Sequence, residues 1–260
     1  MQIWSVANQK GGVGKTTTAV TLAGLLHDQK QRVLLVDLDP HGSMTSYFGE
    51  DPDEVGHSAY DLFQATASGR AIQLQTVICQ TSLSHIDLLP ASTALATLDR
   101  QLGTREGMGL VLKRGLRQID SQYAYCIIDC PPMLGLLMVN ALAACRHVVI
   151  PVQTEFLAIK GLDRMLHTLR MLQRSSGKSM AYTVVPTFFD RRTRASIDAR
   201  RRMHAHYRDH LWDSVIPVDT QFREASRQGK PLSAINPRAR GVLAYSHLLS
   251  CLPTHTGDQA

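Results

Sequence analysis

The stretch Lys10-Gly11-Gly12-Val13-Gly14-Lys15-Thr16-Thr17 brings together residue types that grip phosphate. Glycines in a tight turn let successive backbone N–H groups converge on phosphate oxygens. A helix beginning at the end of that turn adds a favourable field for anions. Lys15 is spaced to reach the outer phosphates, and the Thr16 hydroxyl to bind Mg²⁺. The common form of this loop has glycine five positions before Gly14, where this chain has Gln9, and a second lysine, Lys10, opens the loop. One lysine suffices for phosphate bound in its own site, so Lys10 needs a separate task. Two acidic segments complete the set: Asp37-Leu38-Asp39-Pro40-His41-Gly42 and Asp129-Cys130-Pro131-Pro132. A carboxylate beside a phosphate loop can hold Mg²⁺ through its water shell, the role expected of Asp129. Asp39, further into its loop, is placed to orient an attacking water. It need not be a strong base, because phosphoryl transfer is catalysed mainly by positioning and charge stabilisation.

These residues need elements that bring them to one edge. The run Ile3–Ala7 reads as a strand leading into the loop, and residues 16–29 as the helix leaving it. Further short, β-branched, buried-looking runs are Val33–Val36, Ile86–Leu89, Cys126–Ile128, His147–Ile150, Tyr182–Val185 and Ser214–Ile216. Helical patterns fall over 108–120, 133–145, 158–175, 194–210 and 239–251. Strands alternating with helices predict an α/β fold: a doubly wound, mainly parallel sheet flanked by helices. Prolines 90, 131, 132, 151, 186 and 217 lie at strand ends, the edge where open parallel sheets bind ligands. Residues 50–82 read as a less regular insertion. The expected organisation is one ATPase-type domain over 1–252, with a disordered polar tail over 253–260.

Composition narrows the class. A chain of 260 residues with 44% hydrophobic and 19% charged residues is ordinary for a soluble protein. No apolar run approaches the ~20 residues of a membrane span. The N-terminus opens on a strand without leader features, so a cytoplasmic location is expected. Five cysteines without a C-x-x-C pair read as free thiols. The net charge of +6 is concentrated: residues 190–240 hold 12 Arg/Lys against 6 Asp/Glu, leaving 16 of each elsewhere. Such a patch suits a polyanion, with a solvated arginine-rich helix face as the alternative.

Lys10-Gly-Gly-Val-Gly-Lys15-Thr-Thr, Leu34-Leu-Val-Asp37-Leu-Asp39-Pro and Ile127-Ile-Asp129-Cys-Pro-Pro132 resemble the ParA/MinD family of P-loop ATPases with a deviant Walker A loop. Similarity extends through Asn8-Gln9, Leu88–Ser92, Pro151–Phe156, Gly161-Leu162 and the segment from Glu224-Ala225 to Lys230-Pro231. The resemblance implies an ATP hydrolase using Mg²⁺, whose ATP state is a sandwich homodimer. It makes Lys10 the lysine that crosses to the partner's phosphates, and Lys15 and Thr16 the local binders. Asp39 becomes the hydrolysis residue, also near the metal, and Asp129 the Mg²⁺-side acid. Gly11, Gly12, Val13, Gly14 and Thr17 complete the phosphate cradle, with Pro217 beside the adenine.

The resemblance further implies nonspecific DNA binding and a protein adaptor on the cargo or at the cell pole. The DNA candidates are Arg191, Arg192, Arg194, Arg200, Arg201, Arg202, Arg223, Arg227 and Lys230. The family's basic position before Glu-Ala is Gln221 here, with Arg223 and Arg227 as neighbours. The chain departs again at His41 and Ser43, where Gln and Asn are common. The closing segment 248–260 has no amphipathic membrane helix of the MinD type, so no membrane partner is expected. Several segments, including Asp39–Phe48, Thr93–Leu98, Gln153–Ala158 and Phe189–Thr193, resemble the ParC-type ParA homologues that position polar chemosensory arrays. The implied location is cytoplasmic, at the pole or on the nucleoid.

Overall fold

A computed structural model describes residues 1–70, 73–177 and 179–254. In chain order its elements are β1 (Gln2–Val6), α1 (Lys15–Asp28), β2 (Val33–Asp37), α2 (Ser43–Tyr47), α3 (Ala59–Ala67), β3 (Cys79–Gln80), β4 (Ile86–Leu89), α4 (Leu98–Leu102) and α5 (Val111–Arg117). There follow β5 (Tyr125–Asp129), α6 (Leu136–Ala144), β6 (His147–Gln153), α7 (Phe156–Ser176), β7 (Ala181–Thr187), α8 (Arg194–Tyr207), α9 (Gln221–Arg227), α10 (Leu232–Ile235) and α11 (Arg240–Cys251).

The seven strands form one sheet in the order β3-β4-β2-β5-β1-β6-β7, parallel except for the short β3. Successive residues of a strand point to opposite faces, and here both faces are covered, so the strands are apolar throughout. Leu34, Val36, Cys126, Ile128, Val148 and Ile150 pack beneath α3, α5, α6 and α7. Trp4, Val6, Val33, Leu35, Ile127 and Val149 face α1 and α11. Each leucine or valine so buried contributes roughly 1.5–3 kcal/mol. The register of β2 on β5 pairs Asp37 with Asp129, and that of β1 on β5 pairs Val6 with Asp129. Both acidic segments and the phosphate loop thus leave adjacent strands at one edge.

The anticipated helices are present with altered ends. Residues 108–120 divide into a 3₁₀ turn (Met108–Leu110) and α5, and the pattern over 194–210 into α8 and a 3₁₀ turn (Arg208–His210). Two expectations change. Residues 214–216 do not form a strand: the chain runs beside β7 with Trp212 N donating to Val184 O at 3.0 Å and Ile216 N to Pro186 O at 2.8 Å. Pro186 has no N–H to continue a ladder on that side, and the chain bends at Asp213-Ser214. The supposedly irregular 50–82 contains α3. Its capping box was readable in Ser58-x-x-Asp61: Ser58 Oγ caps the helix start while Asp61 accepts from Ser58 N at 2.8 Å. All five cysteines are free, and Cys130 is fully buried in the core. Of the expected tail 253–260, residues 255–260 lie outside the described residues.

Candidate nucleotide site

The loop between β1 and α1 owes its shape to two glycines. Gly12 (φ 71°) and Gly14 (φ 91°) lie in the left-handed region that a side chain would strain. The loop is tethered at three points. Asn8, fully buried, donates from Nδ2 to Pro151 O at 2.8 Å and accepts Lys10 N on Oδ1 at 3.0 Å. Gln9, at the position where glycine is common, donates to Thr168 Oγ1 of α7 at 2.7 Å. Thr187 at the end of β7 donates to Val13 O at 2.9 Å. The departure at Gln9 is therefore structural, fixing the loop to α7.

The two lysines separate in space as well as in sequence. Lys15 begins α1, is 8% exposed, and its Nζ lies 3.4 Å from Lys10 O across the loop. Lys10 turns away and pairs with Glu155 at the start of α7. Glu155 is a neighbour of the loop to which sequence reading assigned no role.

At the adjoining strand ends, Thr16 Oγ1 donates to Asp129 Oδ2 at 2.6 Å. Asp129 Oδ1 is buried without a hydrogen-bond partner. A buried orphan carboxylate oxygen beside a threonine hydroxyl suits a hard cation, and these are the residues that would hold Mg²⁺. Among the described residues, no three His, Cys, Asp or Glu side chains converge on a metal position. Such a cation would take its remaining ligands from phosphate and water, as Mg²⁺ does in nucleotide sites. Burial, reinforced by the neighbouring Asp37 carboxylate, pushes Asp129 well above the usual carboxylate range, with Thr16 and Lys15 opposing.

Asp37 is the residue sequence reasoning passed over. It is fully buried, and burial raises its carboxyl against hydrogen bonds that favour the charged form. Its Oδ2 accepts from Thr45 N and Thr45 Oγ1, both at 2.8 Å, and its Oδ1 accepts from Asp39 N at 3.1 Å. Asp37 thus shapes the loop that carries Asp39. The signal was present as Asp37-x-Asp39 followed by Thr45, but only the fold shows that the three close on one another. The Asp39 side chain is 16% exposed and pairs with the ring of His41.

A cavity of about 450 Å³ opens beside this edge. Gly14, Thr16 and Thr17 form its phosphate end, while Phe188, Pro217, Val218 and Tyr245 line its apolar end. Its size and its mix of apolar wall and polar end fit a nucleotide. Pro217 stands in the wall, as expected for a base contact. Arg223 and Ser226 of α9 and Tyr47 of α2 also line it. Arg223, expected on a DNA surface, therefore borders the nucleotide cavity.

The remaining basic candidates are exposed, and several are already paired. Arg192 binds Asp190, Arg194 and Arg201 flank Asp198, and Arg227 reaches Glu224. Arg200 donates to Asp213 O at 2.9 Å and lies over Phe189, and Arg202 lies over Phe156. Arg191 precedes α8, and Lys230 follows α9 with its carbonyl accepting from the Tyr47 hydroxyl at 2.9 Å. No helix among the described residues is long and apolar enough to cross a membrane.

Residues 1–182 match the family model described as an AAA domain, AAA_31. The sporulation initiation inhibitor protein Soj of Bacillus subtilis is 39% identical over 248 residues, covering 95% of this chain and 96% of Soj. The chromosome partitioning protein ParA of Caulobacter vibrioides is 34% identical over 251 residues, covering 95% and 92%. Among solved structures, one described as cobyrinic acid a,c-diamide synthase from Mycobacterium smegmatis, with bound ATP analog and magnesium, superposes with a TM-score of 0.83. It is 31% identical and covers 98% of this chain and all of that one. Similarity of this extent makes the chain a member of the ParA/MinD family of P-loop ATPases, with ATP and Mg²⁺ as its substrate and metal.

Proposed function

We propose that this ATPase is an ATP-gated homodimer switch that positions intracellular cargo, with polar chemosensory arrays as that cargo. The single observation that carries the switch is the fate of Lys10. Lys15 alone occupies the chain's own phosphate loop, whereas Lys10 is held aside by Glu155. A lysine kept out of its own site can complete another copy's site once it leaves Glu155, and ATP then favours the dimer by mass action. Slow hydrolysis, stimulated by an adaptor, would return the chain to monomers. In this reading Asp39 orients the attacking water, and Thr16 and Asp129 hold the metal. The array assignment is supported by the segments from Asp39 to Phe48 and Phe189 to Thr193, whose resemblance is to array-positioning homologues.

The exposed arginines around α8 favour a second reading, partitioning of plasmid or chromosome with nonspecific DNA as the track. Soj and the Caulobacter ParA, similar over nearly the whole chain, support it equally.

Asp39→Ala is the test. It should bind ATP, hydrolyse it about 100-fold more slowly and accumulate as a dimer in sedimentation. An unchanged rate would remove Asp39 from the chemistry. A wild-type single-turnover rate indistinguishable from uncatalysed hydrolysis would convert the switch into a nucleotide-bound scaffold. An ATPase rate that depended on cobyrinic acid would favour the chemistry named for the Mycobacterium structure. The trapped variant then serves as bait: recovery of chemoreceptor-array components supports the first cargo, and recovery of DNA-bound partitioning components the second.

A further inference from the structure

The turn that carries Asp39 is fixed almost everywhere except at the carboxylate itself. Pro40 restrains its own φ, and Gly42 sits in the left-handed region (φ 58°) as the residue before α2. A side chain at Gly42 would overlap Pro52, so the turn packs closely on Pro52 and takes only glycine there. Asp37 holds both ends of the segment, through Asp39 N at 3.1 Å and Thr45 N at 2.8 Å. Gly42 N closes the turn on Asp39 O at 2.8 Å.

What remains is the rotation of the Asp39 side chain, and one residue sets it. Asp39 Oδ1 accepts from His41 N at 3.1 Å and meets His41 Nδ1 at 2.9 Å. Both contacts engage the same oxygen. The His41 side chain is 81% exposed and has no other hydrogen-bond partner among the described residues, so the ring is not there to pack a core. A ring N–H on Oδ1 fixes the carboxylate plane and leaves Oδ2 for another bond. Removing a fixed hydrogen bond from a reacting group lets it sample unproductive orientations, which costs rate and not substrate affinity.

We infer that His41 is a positioning residue for ATP hydrolysis, clamping Oδ1 of Asp39 so that its other oxygen addresses the attacking water. The inference rests on the proposed hydrolytic role of Asp39. It needs no covalent step and no change in protonation of His41.

The test is a kinetic cycle with Mg-ATP. His41→Ala should lower kcat about 10-fold with KM unchanged, the loss expected for one hydrogen bond to a charged group. His41→Asn should recover most of that loss, because Asn Nδ2 stands one bond beyond Cγ as His Nδ1 does. In an Asp39→Ala background, His41→Ala should add nothing further. Exposure of the ring makes misfolding an unsuitable explanation, and equal ATP binding by each variant checks it. A kcat for His41→Ala within about 2-fold of wild type, or above it, overturns the inference. So do equal losses for Ala and Asn, or a further loss of the full factor in the Asp39→Ala background. An unchanged rate for Asp39→Ala alone would instead sink the Asp39 assignment, which separates the two failures.

Discussion

The phosphate loop and the arginine-rich surface both concentrate positive charge, but they do so by opposite means. At the loop, one cation is 8% exposed and is surrounded by elements that arrive from distant parts of the sequence. Asn8 reaches β6, Gln9 reaches α7, Thr187 reaches back from β7, and Thr16 meets Asp129 across the strand ends. Around α8 the arginines are strung along a single helix and its approach, with side chains 78% to 95% exposed where they form ion pairs within that helix. A buried, preorganised charge acts strongly on one ligand in one pose. Exposed charges act weakly and additively on any polyanion, and salt screens them. The first region has the build for specific chemistry, and the second suits sequence-blind attraction to a polyanion.

The contrast can be broken most directly at Lys15. Replacing it with alanine removes the loop's buried cation, and nucleotide affinity in a fluorescent-ATP titration should fall about 30-fold or more. A loss under about 3-fold would mean that the loop behaves like the arginine surface, with no dominant charge.

Lys10 should behave differently from Lys15 although both belong to the same loop. Lys10→Ala is expected to keep monomer ATP binding within about 2-fold of wild type while losing the ATP-dependent dimer in sedimentation. Glu155→Gln, which frees Lys10, should strengthen that dimer. If Lys10→Ala dimerised normally, Lys10 would have no task outside its own chain.

The arginine surface is the place for graded effects. DNA retention should fall steeply with salt, with a log–log slope near −0.9 for each phosphate neutralised. Arg191→Ala should flatten that slope by about one such contact. Arg192→Ala and Arg194→Ala should flatten it less, because Asp190 and Asp198 already share their charge. Equal slopes for all variants would leave α8 as a solvated helix face.

The smallest expected effect concerns the acids behind the loop. Burial raises both Asp129 and Asp37 above their unfolded values, so the native apoprotein holds protons that the unfolded chain has released. The unfolded state then binds fewer protons, and this contribution to stability declines as pH rises above about 4. Nucleotide-free melting temperature, taken as wild type minus Asp129→Asn, should decrease between pH 5 and pH 7.5, on the order of a few degrees. Mg-ATP should diminish the decrease, because it favours the carboxylate. A flat or rising difference would show that Asp129 ionises without cost.

Much of the site was legible because loops of this kind are encoded locally. Glycines at 12 and 14, the lysines and Thr16 lie within eight residues, and their strand-to-helix setting follows from hydrophobic pattern. The sheet was legible because strands covered on both faces are apolar without interruption. The strand expected at Ser214–Ile216 failed because its neighbour's Pro186 cannot continue a ladder, a property of the pair and not of the segment. Helix α3 was missed although Ser58 and Asp61 spelled its cap, since a single turn of capping residues is easily read as loop.

By itself the sequence determined the phosphate loop, the acids at the strand ends and the concentration of basic residues between 190 and 240. Each depends on neighbours a few positions apart, which backbone geometry links directly. Only the tertiary structure decided what those residues touch. It tied Lys10 to Glu155, closed Asp37 on Thr45 to shape the Asp39 turn, and brought Arg223 to the nucleotide cavity. Hydrogen bonds and ion pairs form within about 4 Å whatever the separation along the chain, so their partners are settled by how the elements pack.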